Sequence, residues 1–426
     1  MKNLLKKLIP DFVFSLYHWK LAWLGALIYG FPSRKLIVIG VTGTKGKTTT
    51  CNLIAQILNG AGLKTGLATT VNFRIGEREW VNEYKQTMLG RFKLQKLLRQ
   101  MVDEGCKYAV IETSSEGILQ YRHKGINYSV AVFTNLSPEH IERHGSFANY
   151  RAAKLKLCEV VSKNARGIGV YNLDDQNVDY FLKCDIRNKY GYGTHNKYQL
   201  LNFNKISGIN LSPNRTEFSL NNEKFQMPLV GEFNIYNAAA AICVAQSQGI
   251  GTDKIKEILK NAKPTPGRLE VIKAGQPFTV VVDYAHEPAS LEAAYKAIKV
   301  FNPKKIIALL GAQGGGRDKS KRPELGRIAG QYADKIIVTN EDPYDENPSE
   351  IINDVAAGVK NKDVIKIIQR REAIRKALSL AEAGDTVILT GKGGEVWMCI
   401  ENSKKIPWNE RKIVEEELAN LSLTQK

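Results

Sequence analysis

The stretch Leu36-Ile37-Val38-Ile39-Gly40-Val41-Thr42-Gly43-Thr44-Lys45-Gly46-Lys47-Thr48-Thr49-Thr50 decides the fold, because an apolar run leads directly into a glycine-rich turn that ends in Lys-Thr. This order is typical of a β-strand, a phosphate-binding loop and the start of a helix. Glycines allow backbone N–H groups to approach phosphate oxygens, Lys47 adds a positive charge, and Thr48 can ligate Mg²⁺ at the positive end of the helix. Val41 occupies the first glycine position of the standard motif, so the spacing is a variant. We predict an ATP site here.

Length and composition limit the classes of protein that the chain can belong to. It has 426 residues, of which 43% are apolar, so it can bury two or three cores. The net charge of +18 favours anionic partners, among them nucleotides, phosphorylated substrates and an acidic membrane face. The sequence has no zinc-finger or RNA-binding signature, so we expect no nucleic-acid partner. The cysteines form no CxxC pair and lie mostly in apolar segments, which favours a reducing compartment and hence the cytoplasm.

The amino-terminal segment, residues 1–35, is apolar and basic. Lys2, Lys6 and Lys7 precede a mostly apolar stretch, whose longest uncharged run, Leu21–Ser33, is shorter than the ~20 residues of a membrane-spanning helix. Large apolar side chains recur there at helical spacing: Phe12, Leu16, Trp19, Trp23 and Leu27. The pattern favours a helix at a membrane surface, or equally a helix docked on the protein's own core or on a partner subunit. The segment lacks a small-residue cleavage site, so we do not expect a signal peptide.

From Leu36 onward, strand-like apolar runs alternate with amphipathic stretches, which predicts an α/β fold with a mostly parallel sheet. We expect strands near 109–112, 130–134 and 167–171, helices near 92–104 and 150–161, and an irregular polar region from 172 to 226. The pattern restarts after Lys263-Pro264-Thr265-Pro266-Gly267 and predicts a second, Rossmann-like α/β domain. The expected domains are therefore an amino-terminal helical segment (1–35), a central ATP-binding domain (36–265) and a carboxyl-terminal domain (266–426).

Polar residues follow two of the predicted strands. Glu112 ends one strand, and the segment Thr134-Asn135-Leu136-Ser137-Pro138-Glu139-His140 leaves another. Lys154 lies one turn into the next helix. Ligands bind at the carboxyl edge of open α/β sheets, and a carboxylate there suits Mg²⁺. The three segments could therefore converge on one ion, although each residue alone is better explained as an ordinary surface or core side chain.

Taken together, these strings resemble the Mur ligase family, and most closely its MurE type. The resemblance runs in the family's order from Leu36 to Glu395 through the following strings: GVTGTKGKTTT, IETSSEGILQYR, FTNLSPEHIERHGSFANYRAAK, LVGEFNIYNAAAA, PGRLE, VVDYAHEPASLE, GAQGGGRDKSKRPELG, TNEDPYDENP and LTGKGGE. Folylpolyglutamate synthases share the phosphate loop, but the DYAH, GRDKSKRP and GKGGE strings look like MurE.

The resemblance implies roles for individual residues. ATP would be held by Gly43, Thr44, Lys45, Gly46, Lys47, Thr48, Thr49, Asn237 (adenine), Arg268 (phosphate) and Asp283 (ribose). Mg²⁺ ions would be held by Thr48, Glu112, His140 and Lys154, the last as the carbamate that lysine forms with CO₂. The catalytic set would be Lys47, Glu112, His140 and Lys154. A carbamate carries a negative charge, which explains how a lysine can serve as a metal ligand.

The resemblance also implies two substrate sites. Residues matching the muramoyl-peptide contacts are Thr87, Ser114, Ser115, Gln120 and Arg122, and those matching the amino-acid contacts are Asp342, Gly391 and Glu395. Three positions depart from the family pattern: Glu116 replaces a histidine, Gln86-Thr87-Met88 replaces a Thr-Thr-Pro string, and Tyr344 replaces an arginine that clamps the second carboxylate of diaminopimelate. With Asp345 and Glu346 next to Tyr344, we expect lysine or ornithine to be preferred, unless Arg317, Lys319, Lys321 or Arg322 supplies the missing charge.

The activity that the resemblance implies is ATP-dependent addition of an amino acid to a muramoyl-peptide cell-wall precursor through an acyl phosphate. Alternatives are a Mur-like ligase acting on a lipid-linked wall precursor or a poly-γ-glutamyl carboxylate, and a non-catalytic nucleotide-binding regulator. MurE proteins carry an amino-terminal domain that grips uridine diphosphate, and only about thirty-five residues precede the phosphate-loop strand here. We expect a cytoplasmic monomer, with peripheral contact to the inner face of the membrane through residues 1–35.

Overall fold

The computed structural model describes residues 11–139 and 141–424, which divide into two compact units. The first unit comprises the chain up to Asn210, Glu217–Met227 and Phe233–Ala262. The second unit comprises Leu211–Thr216, Pro228–Glu232 and the chain from Lys263 onward. The domain boundaries expected after residues 35 and 265 remain predictions.

The larger sheet has eleven strands within the described residues. They are β1 (Ile37–Thr42), β2 (Thr65–Ala68), β3 (Asn72–Ile75), β4 (Arg78–Val81), β5 (Tyr108–Glu112), β6 (Tyr128–Phe133), β7 (Ile168–Asn172), β8 (Asn188–Gly193), β9 (Asn202–Ser212), β10 (Arg215–Leu220) and β11 (Glu223–Met227). Their order across the sheet is β11-β10-β9-β8-β7-β6-β1-β5-β2-β3-β4. The strands from β9 to β2 in this order pair in parallel, whereas β2, β3 and β4 pair antiparallel. The predicted α/β class with a mostly parallel sheet is confirmed.

The helices of the first unit follow the predicted alternation. They are α1 (Asp11–Ile28), α2 (Lys47–Gly60), α3 (Arg91–Asp103), α4 (Ser115–Leu119), α5 (Ile141–His144), α6 (Phe147–Val161), α7 (Val178–Leu182), α8 (Phe233–Ser247) and α9 (Thr252–Lys260), with a 3-10 turn at Pro32–Lys35. The expectation of an irregular region from 172 to 226 was wrong, since β8 to β11 lie there. Polar residues and glycines interrupt the sequences of these four strands, so none of them forms an apolar run.

The second unit has a six-stranded sheet of described residues. Its strands are β12 (Glu270–Ile272), β13 (Thr279–Val282), β14 (Ile306–Leu310), β15 (Lys335–Thr339), β16 (Val364–Ile367) and β17 (Thr386–Leu389). Their order is β12-β13-β17-β14-β15-β16, parallel except for the β12–β13 pair. A small antiparallel pair joins β18 (Trp397–Cys399) and β19 (Lys405–Pro407). The helices are α10 (Pro288–Ile298), α11 (Lys321–Tyr332), α12 (Pro348–Ala356), α13 (Arg370–Ser379) and α14 (Glu410–Thr424), with a 3-10 turn at Lys299–Phe301.

The four central strands of the second sheet, β13, β17, β14 and β15, are buried on both faces. Successive residues of β14 belong to two different cores: Ala308 and Leu310 pack in one, and Ile307 and Leu309 in the other. Side chains alternate across a strand, so a parallel sheet covered by helices on both faces requires apolar residues at every position. That requirement explains why these strands read as continuous apolar runs in the sequence.

The predicted helix of the amino-terminal segment is present as α1, and residues 1–10, with the three lysines, lie outside the described residues. None of the helices in the described part of the chain combines the length and hydropathy needed to cross a membrane. One face of α1 packs against α3, as expected for a helix that docks on its own protein. Large apolar side chains are exposed elsewhere along the helix.

Candidate active site

The phosphate loop connects β1 to α2 and depends on two glycines. Gly43 and Gly46 have positive φ angles of 148° and 78°. A Cβ atom at Gly43 would lie 1.9 Å from Thr134 Oγ1, and one at Gly46 would lie 2.2 Å from Asn237 Oδ1. Any side chain at either position would therefore meet both backbone strain and a steric clash. The loop needs glycine at both positions to keep its backbone close to these neighbours.

The segment that follows β6 forms hydrogen bonds to backbone groups of the loop. The carbonyl of Asn135 accepts the Thr44 N–H at 2.8 Å, and its side-chain oxygen accepts the Lys45 N–H at 2.8 Å. Thr134 Oγ1 donates to the Lys45 carbonyl at 2.8 Å. Sequence reasoning placed this segment at the strand end but did not single out Asn135. An Asn directly after a buried strand, next to a phosphate loop, is the signal that could have found it.

Glu112 and Thr48 meet directly below the loop. Thr48 Oγ1 donates to Glu112 Oε2 at 3.0 Å, and the same oxygen accepts the backbone N–H of Thr70 at 2.8 Å and its hydroxyl at 3.0 Å. Both predicted Mg²⁺ ligands are thus adjacent and buried. Thr70 was not predicted, because it follows a different strand, β2, and only the sheet order brings it here.

Lys154 reaches the loop from α6. Its ammonium donates to the Gly43 carbonyl at 2.5 Å and lies 4.4 Å from the centre of the Tyr150 ring. The side chain is 1% exposed. Burial, followed by the positive charge of Lys47, holds the pKa of Lys154 well below its ordinary value. The structure therefore brings Lys154 to the loop that also carries Lys47 and Thr48.

The two lysines of the loop each contact a nearby oxygen. Lys47 Nζ donates to the Thr44 carbonyl at 2.8 Å, and Lys45 Nζ pairs with Glu139 at 3.0 Å. Thr49 is buried in the first turn of α2. His140, the predicted metal ligand that follows Glu139, lies outside the described residues.

This part of the first unit fits ATP and Mg²⁺. A glycine cradle at the positive end of α2, with Lys47 beside it, suits a phosphate chain. The Thr48 hydroxyl and the Glu112 carboxylate are oxygen donors of the kind that Mg²⁺ prefers. Asn237, the predicted adenine contact, lies on α8 behind the loop: Oδ1 accepts from Thr50 Oγ1 at 3.3 Å.

The residues predicted to bind the acceptor lie at the start of α4 and just after it. Ser114 caps α4 by accepting the Gly117 N–H at 3.1 Å, and Ser115 Oγ lies 3.1 Å from His144 Nε2. Arg122 donates to Gln120 Oε1 at 2.7 Å and to the Met88 carbonyl. Thr87, next to Met88, is half-buried. The structure thus places all five predicted acceptor residues on neighbouring segments and adds His144, which sequence reasoning missed.

In the second unit, Asp283 and Arg268 lie close to one another. Asp283 accepts the N–H groups of Leu269 and Ala285, each at 2.8 Å, and burial raises its pKa while Arg268 opposes the rise. The guanidinium of Arg268 stacks 4.5 Å from the centre of the Tyr284 ring. The nucleotide-binding roles of Arg268 and Asp283 remain predictions.

The residues predicted to hold the amino acid meet around a buried lysine. Lys392 Nζ donates to Asp342 Oδ1 at 2.9 Å, to Glu395 Oε2 at 2.6 Å and to the Trp397 carbonyl at 2.8 Å. Lys392 lies in the quoted GKGGE string, but sequence reasoning did not single it out. The signal in the sequence was its position in the same short string as Glu395, which was predicted to bind the amino acid.

Glu341 is a second residue that sequence reasoning missed. It is fully buried, and neither carboxylate oxygen has a hydrogen-bond partner in the described part of the chain. A Cβ atom at Gly391, whose φ is 103°, would lie 2.4 Å from Glu341 Oε2. The carboxylate therefore fits here only because residue 391 is glycine. Burial, reinforced by the charge of Asp342, raises the pKa of Glu341 to about 7. A titratable group of this kind next to a predicted substrate site is a candidate functional residue.

The carboxylates expected to make the amino-acid site acidic already have partners. Glu346 accepts from Arg322 at 2.8 Å and pairs with Lys319 at 3.2 Å; these contacts lower its pKa to about 2 despite its partial burial. Asp345 accepts the Asn402 N–H at 2.7 Å. Their charges are matched locally, so the predicted preference for a basic amino acid now depends mainly on Tyr344.

Comparison with known proteins matches both units to one family. Residues 41–245 match the Mur ligase middle domain, and residues 267–393 match the Mur ligase glutamate ligase domain. A UDP-N-acetylmuramoyl-L-alanyl-D-glutamate–2,6-diaminopimelate ligase of Geobacillus thermodenitrificans is 37% identical over 89% of this chain and 78% of its own length. A UDP-N-acetylmuramyl-tripeptide synthetase of Roseiflexus is 36% identical over 94% of this chain and 82% of its own length.

Solved structures share the fold. A UDP-N-acetylmuramoyl-L-alanyl-D-glutamate–2,6-diaminopimelate ligase superposes with a TM-score of 0.63 at 29% identity, over 91% of this chain and 79% of its own. Folylpolyglutamate synthase of Mycobacterium tuberculosis superposes with a TM-score of 0.70 at 17% identity, over 88% of this chain and 92% of its own; at that identity only the fold is shared.

The chain belongs to the Mur ligase family. It is therefore an ATP-dependent ligase that forms amide bonds, as sequence reasoning predicted, and its relatives are of the MurE type.

Proposed function

We propose that this ligase adds one amino acid to the free carboxylate of a muramoyl peptide, using ATP and Mg²⁺ and passing through an acyl phosphate. Support comes from the relatives, which are named for ligation of an amino acid to a muramoyl dipeptide. The observation that carries the proposal is the group of Lys154, Thr48 and Glu112 around the phosphate loop, because it brings a phosphate cradle and metal-ligand chemistry together.

The proposed reaction has two steps. A carboxylate oxygen of the acceptor attacks the γ-phosphorus, the bond to the β,γ-bridging oxygen breaks, and ADP leaves. The neutral amine of the incoming amino acid then attacks the acyl carbon; the acyl C–O bond breaks, inorganic phosphate leaves, and the nitrogen releases a proton that the phosphate takes up. Mg²⁺ supplies charge neutralisation on the transferring phosphoryl group. Lys47 adds positive charge at the same group, and the remaining contribution is positioning of the reactants.

Lys154 is proposed to act as a carbamate. A lysine must be neutral to attack CO₂, and the lowered pKa of Lys154 favours the neutral amine. Attack on the carbon of CO₂ forms an N–C bond, and the amine proton leaves to solvent. The product is an anion at the phosphate loop that also carries Thr48, where a further oxygen ligand for Mg²⁺ is useful. His140 is proposed to complete this set.

The test compares Lys154→Ala with Lys156→Ala. Lys156 is an exposed residue of the same helix and pairs with Glu159 at 2.7 Å, so its loss controls for removal of a lysine from α6. We expect ATP turnover in the wild type to require both acceptor and amino acid. Lys154→Ala should lose nearly all turnover and regain part of it with a small carboxylic acid. Normal turnover in Lys154→Ala would contradict the carbamate role, and turnover without an acceptor would contradict ligation.

The carrier of the acceptor distinguishes two versions of this function. A soluble UDP-linked muramoyl peptide is the substrate for which the relatives are named. A lipid-linked wall precursor or a poly-γ-glutamyl carboxylate is the second version, and a ligase assay across the three acceptors separates them. The non-catalytic regulator would show no acceptor-dependent turnover at all.

We further propose that the enzyme acts as a monomer in the cytoplasm, where ATP is available.

A further inference from the structure

Helix α1 presents most of the large apolar side chains that the structure describes along it to solvent, and its small ones to the protein. Ala22 and Ala26 are buried, and Gly25 lies 3.6 Å, measured from its ideal Cβ position, from the Arg91 carbonyl and the Phe92 ring. The large apolar side chains of α1 that are more than a third exposed are Val13, Leu16, Tyr17, Trp19, Trp23, Leu24, Leu27 and Ile28. A helix that covers its own protein's core would place these two sets the other way round.

The chain after α1 holds the helix firmly in this orientation. The Phe31 N–H donates to the Ala26 carbonyl at 2.7 Å. Ser33 Oγ accepts the Asn127 N–H at 3.1 Å, which ties the following turn to the residue directly before β6. Gly125, with a φ of 73°, has room for the Ala26 methyl group only because it lacks a Cβ, which would lie 2.7 Å from it. The exposed face is therefore a fixed surface of the first unit.

The apolar face is bordered by aromatic rings and positive charges. Trp19, Trp23 and Phe31 form a row with ring centroids 6.4 and 6.3 Å apart, and the guanidinium of Arg34 lies 4.3 Å from the centre of the Phe31 ring. Lys20 is exposed on the helix itself. Tryptophan and arginine at the edge of an apolar surface are typical of the membrane–water interface, and cations there attract anionic lipid.

α1 also lies next to the segment predicted to bind the acceptor. The Arg91 carbonyl lies 3.6 Å from the ideal Cβ position of Gly25, and the Arg91 guanidinium donates to the Gln120 carbonyl at 3.0 and 2.7 Å. The Gln120 side chain in turn accepts from Arg122 at 2.7 Å. Arg91 thus connects the protein-facing side of α1 to the predicted acceptor residues Gln120 and Arg122, and the apolar face lies on the other side of the helix.

We propose that the exposed face of α1 seats the enzyme on an anionic membrane surface, and that its acceptor is a muramoyl peptide carried on a lipid of that membrane. The helix is about 27 Å long and lies along the surface instead of crossing it. Because Arg91 connects the helix on which α1 packs to Gln120, the acceptor segment lies near the helix that contacts the membrane. The acceptor part of this proposal rests on the proposed ligase function; the membrane part does not.

The first experiment measures flotation of the full-length protein with vesicles of phosphatidylcholine containing phosphatidylglycerol. The variant Trp23→Glu/Leu27→Glu changes two exposed residues of α1, and Leu201→Glu changes a fully exposed leucine before β9 as a matched control. We expect the wild type and Leu201→Glu to float, and the α1 variant to lose at least about tenfold in vesicle partitioning, or ~1.4 kcal/mol. An unchanged thermal unfolding midpoint shows that the variant is folded.

Other outcomes of flotation overturn the membrane part. If the wild type stays with the soluble fraction and light scattering shows a dimer that the α1 variant breaks, a second copy of this chain covers the face. If the wild type stays soluble as a monomer, or if all three proteins float equally, α1 does not bind lipid.

The second experiment separates the acceptor part from the ligase function. Ligation is measured with a soluble UDP-linked acceptor and with a lipid-linked acceptor in the same vesicles. We expect the α1 variant to lose about tenfold in kcat/KM with the lipid-linked acceptor only. Equal loss with both acceptors, or use of the soluble acceptor alone, overturns the lipid-linked assignment. Absence of ligation with every acceptor would refute the proposed function while leaving the flotation result valid.

Discussion

Replacing Glu341 by glutamine tests whether the buried carboxylate beside Gly391 takes up a proton on folding. Its side chain is fully buried without a hydrogen-bond partner for either oxygen among the described residues. Burial and the negative charge of Asp342 raise its pKa from 4.5 to about 7, while Lys392 and Arg370 act in the opposite direction. Glutamine has nearly the same size and cannot ionise, so it removes the titration and leaves the shape.

The magnitude follows from the pKa difference between the folded and unfolded states. Since the folded pKa lies above the unfolded one, the folded state binds more protons between pH 4.5 and about 7, and stability falls as pH rises through that range. At about 1.4 kcal/mol for each pH unit, the fall over this range is at most about 3.5 kcal/mol. Glu341→Gln should lack it, so the variant gains stability relative to the wild type as pH rises.

Amide hydrogen exchange measures this change in the second unit alone. Exchange of amides in β14 and β15, corrected for intrinsic rates, reports the free energy of opening of this sheet. The comparison is made at about pH 5 and about pH 8, on either side of the expected titration. Glu401→Gln, at an exposed position, controls for the loss of one carboxylate. The same pH dependence in the wild type and in Glu341→Gln would refute the proposed titration.

Three further predictions follow from other parts of the structure. Gly46→Ala should raise the Kd for ATP at least tenfold by calorimetry, because φ is 78° and the new methyl group would clash; Gly62→Ala, with φ 80° and open space around it, should not. Glu410→Gln should destabilise the second unit by about 3–5 kcal/mol in hydrogen exchange, because it leaves the fully buried Arg370 without its carboxylate. With Tyr344 in place of an arginine, lysine should be incorporated in preference to diaminopimelate in a competition assay read by product mass.

Each of these predictions has an outcome that contradicts it. Equal ATP affinity of both glycine variants would mean that the loop tolerates a side chain. Glu415→Gln, which breaks an exposed pair with Arg411, should cost less than about 1 kcal/mol; an equal effect of Glu410→Gln would show that burial does not matter there. Clear preference for diaminopimelate would show that another cation replaces the missing arginine.

The elements that sequence reasoning predicted well are those set by local pattern. β1, the loop and α2 follow from an apolar run, two glycines and Lys-Thr within fifteen residues. The helix expected at 92–104 is α3 (Arg91–Asp103), and the strand expected at 109–112 is β5 (Tyr108–Glu112). Strands buried on both faces are apolar throughout, so they stand out in a sequence. The strands β8 to β11 were missed because polar residues and glycines interrupt their sequences, so none of them forms an apolar run.

The sequence by itself determined the class of fold, the phosphate loop and the family, because local apolar periodicity and short ordered motifs carry that information. Only the tertiary structure decided which side chains meet: Thr70 with Glu112, His144 with Ser115, and Lys392 between Asp342 and Glu395. It also decided that α1 docks through its alanines and exposes its tryptophans. These contacts join residues on different elements, and their distances depend on strand order and helix packing, which local sequence patterns do not specify.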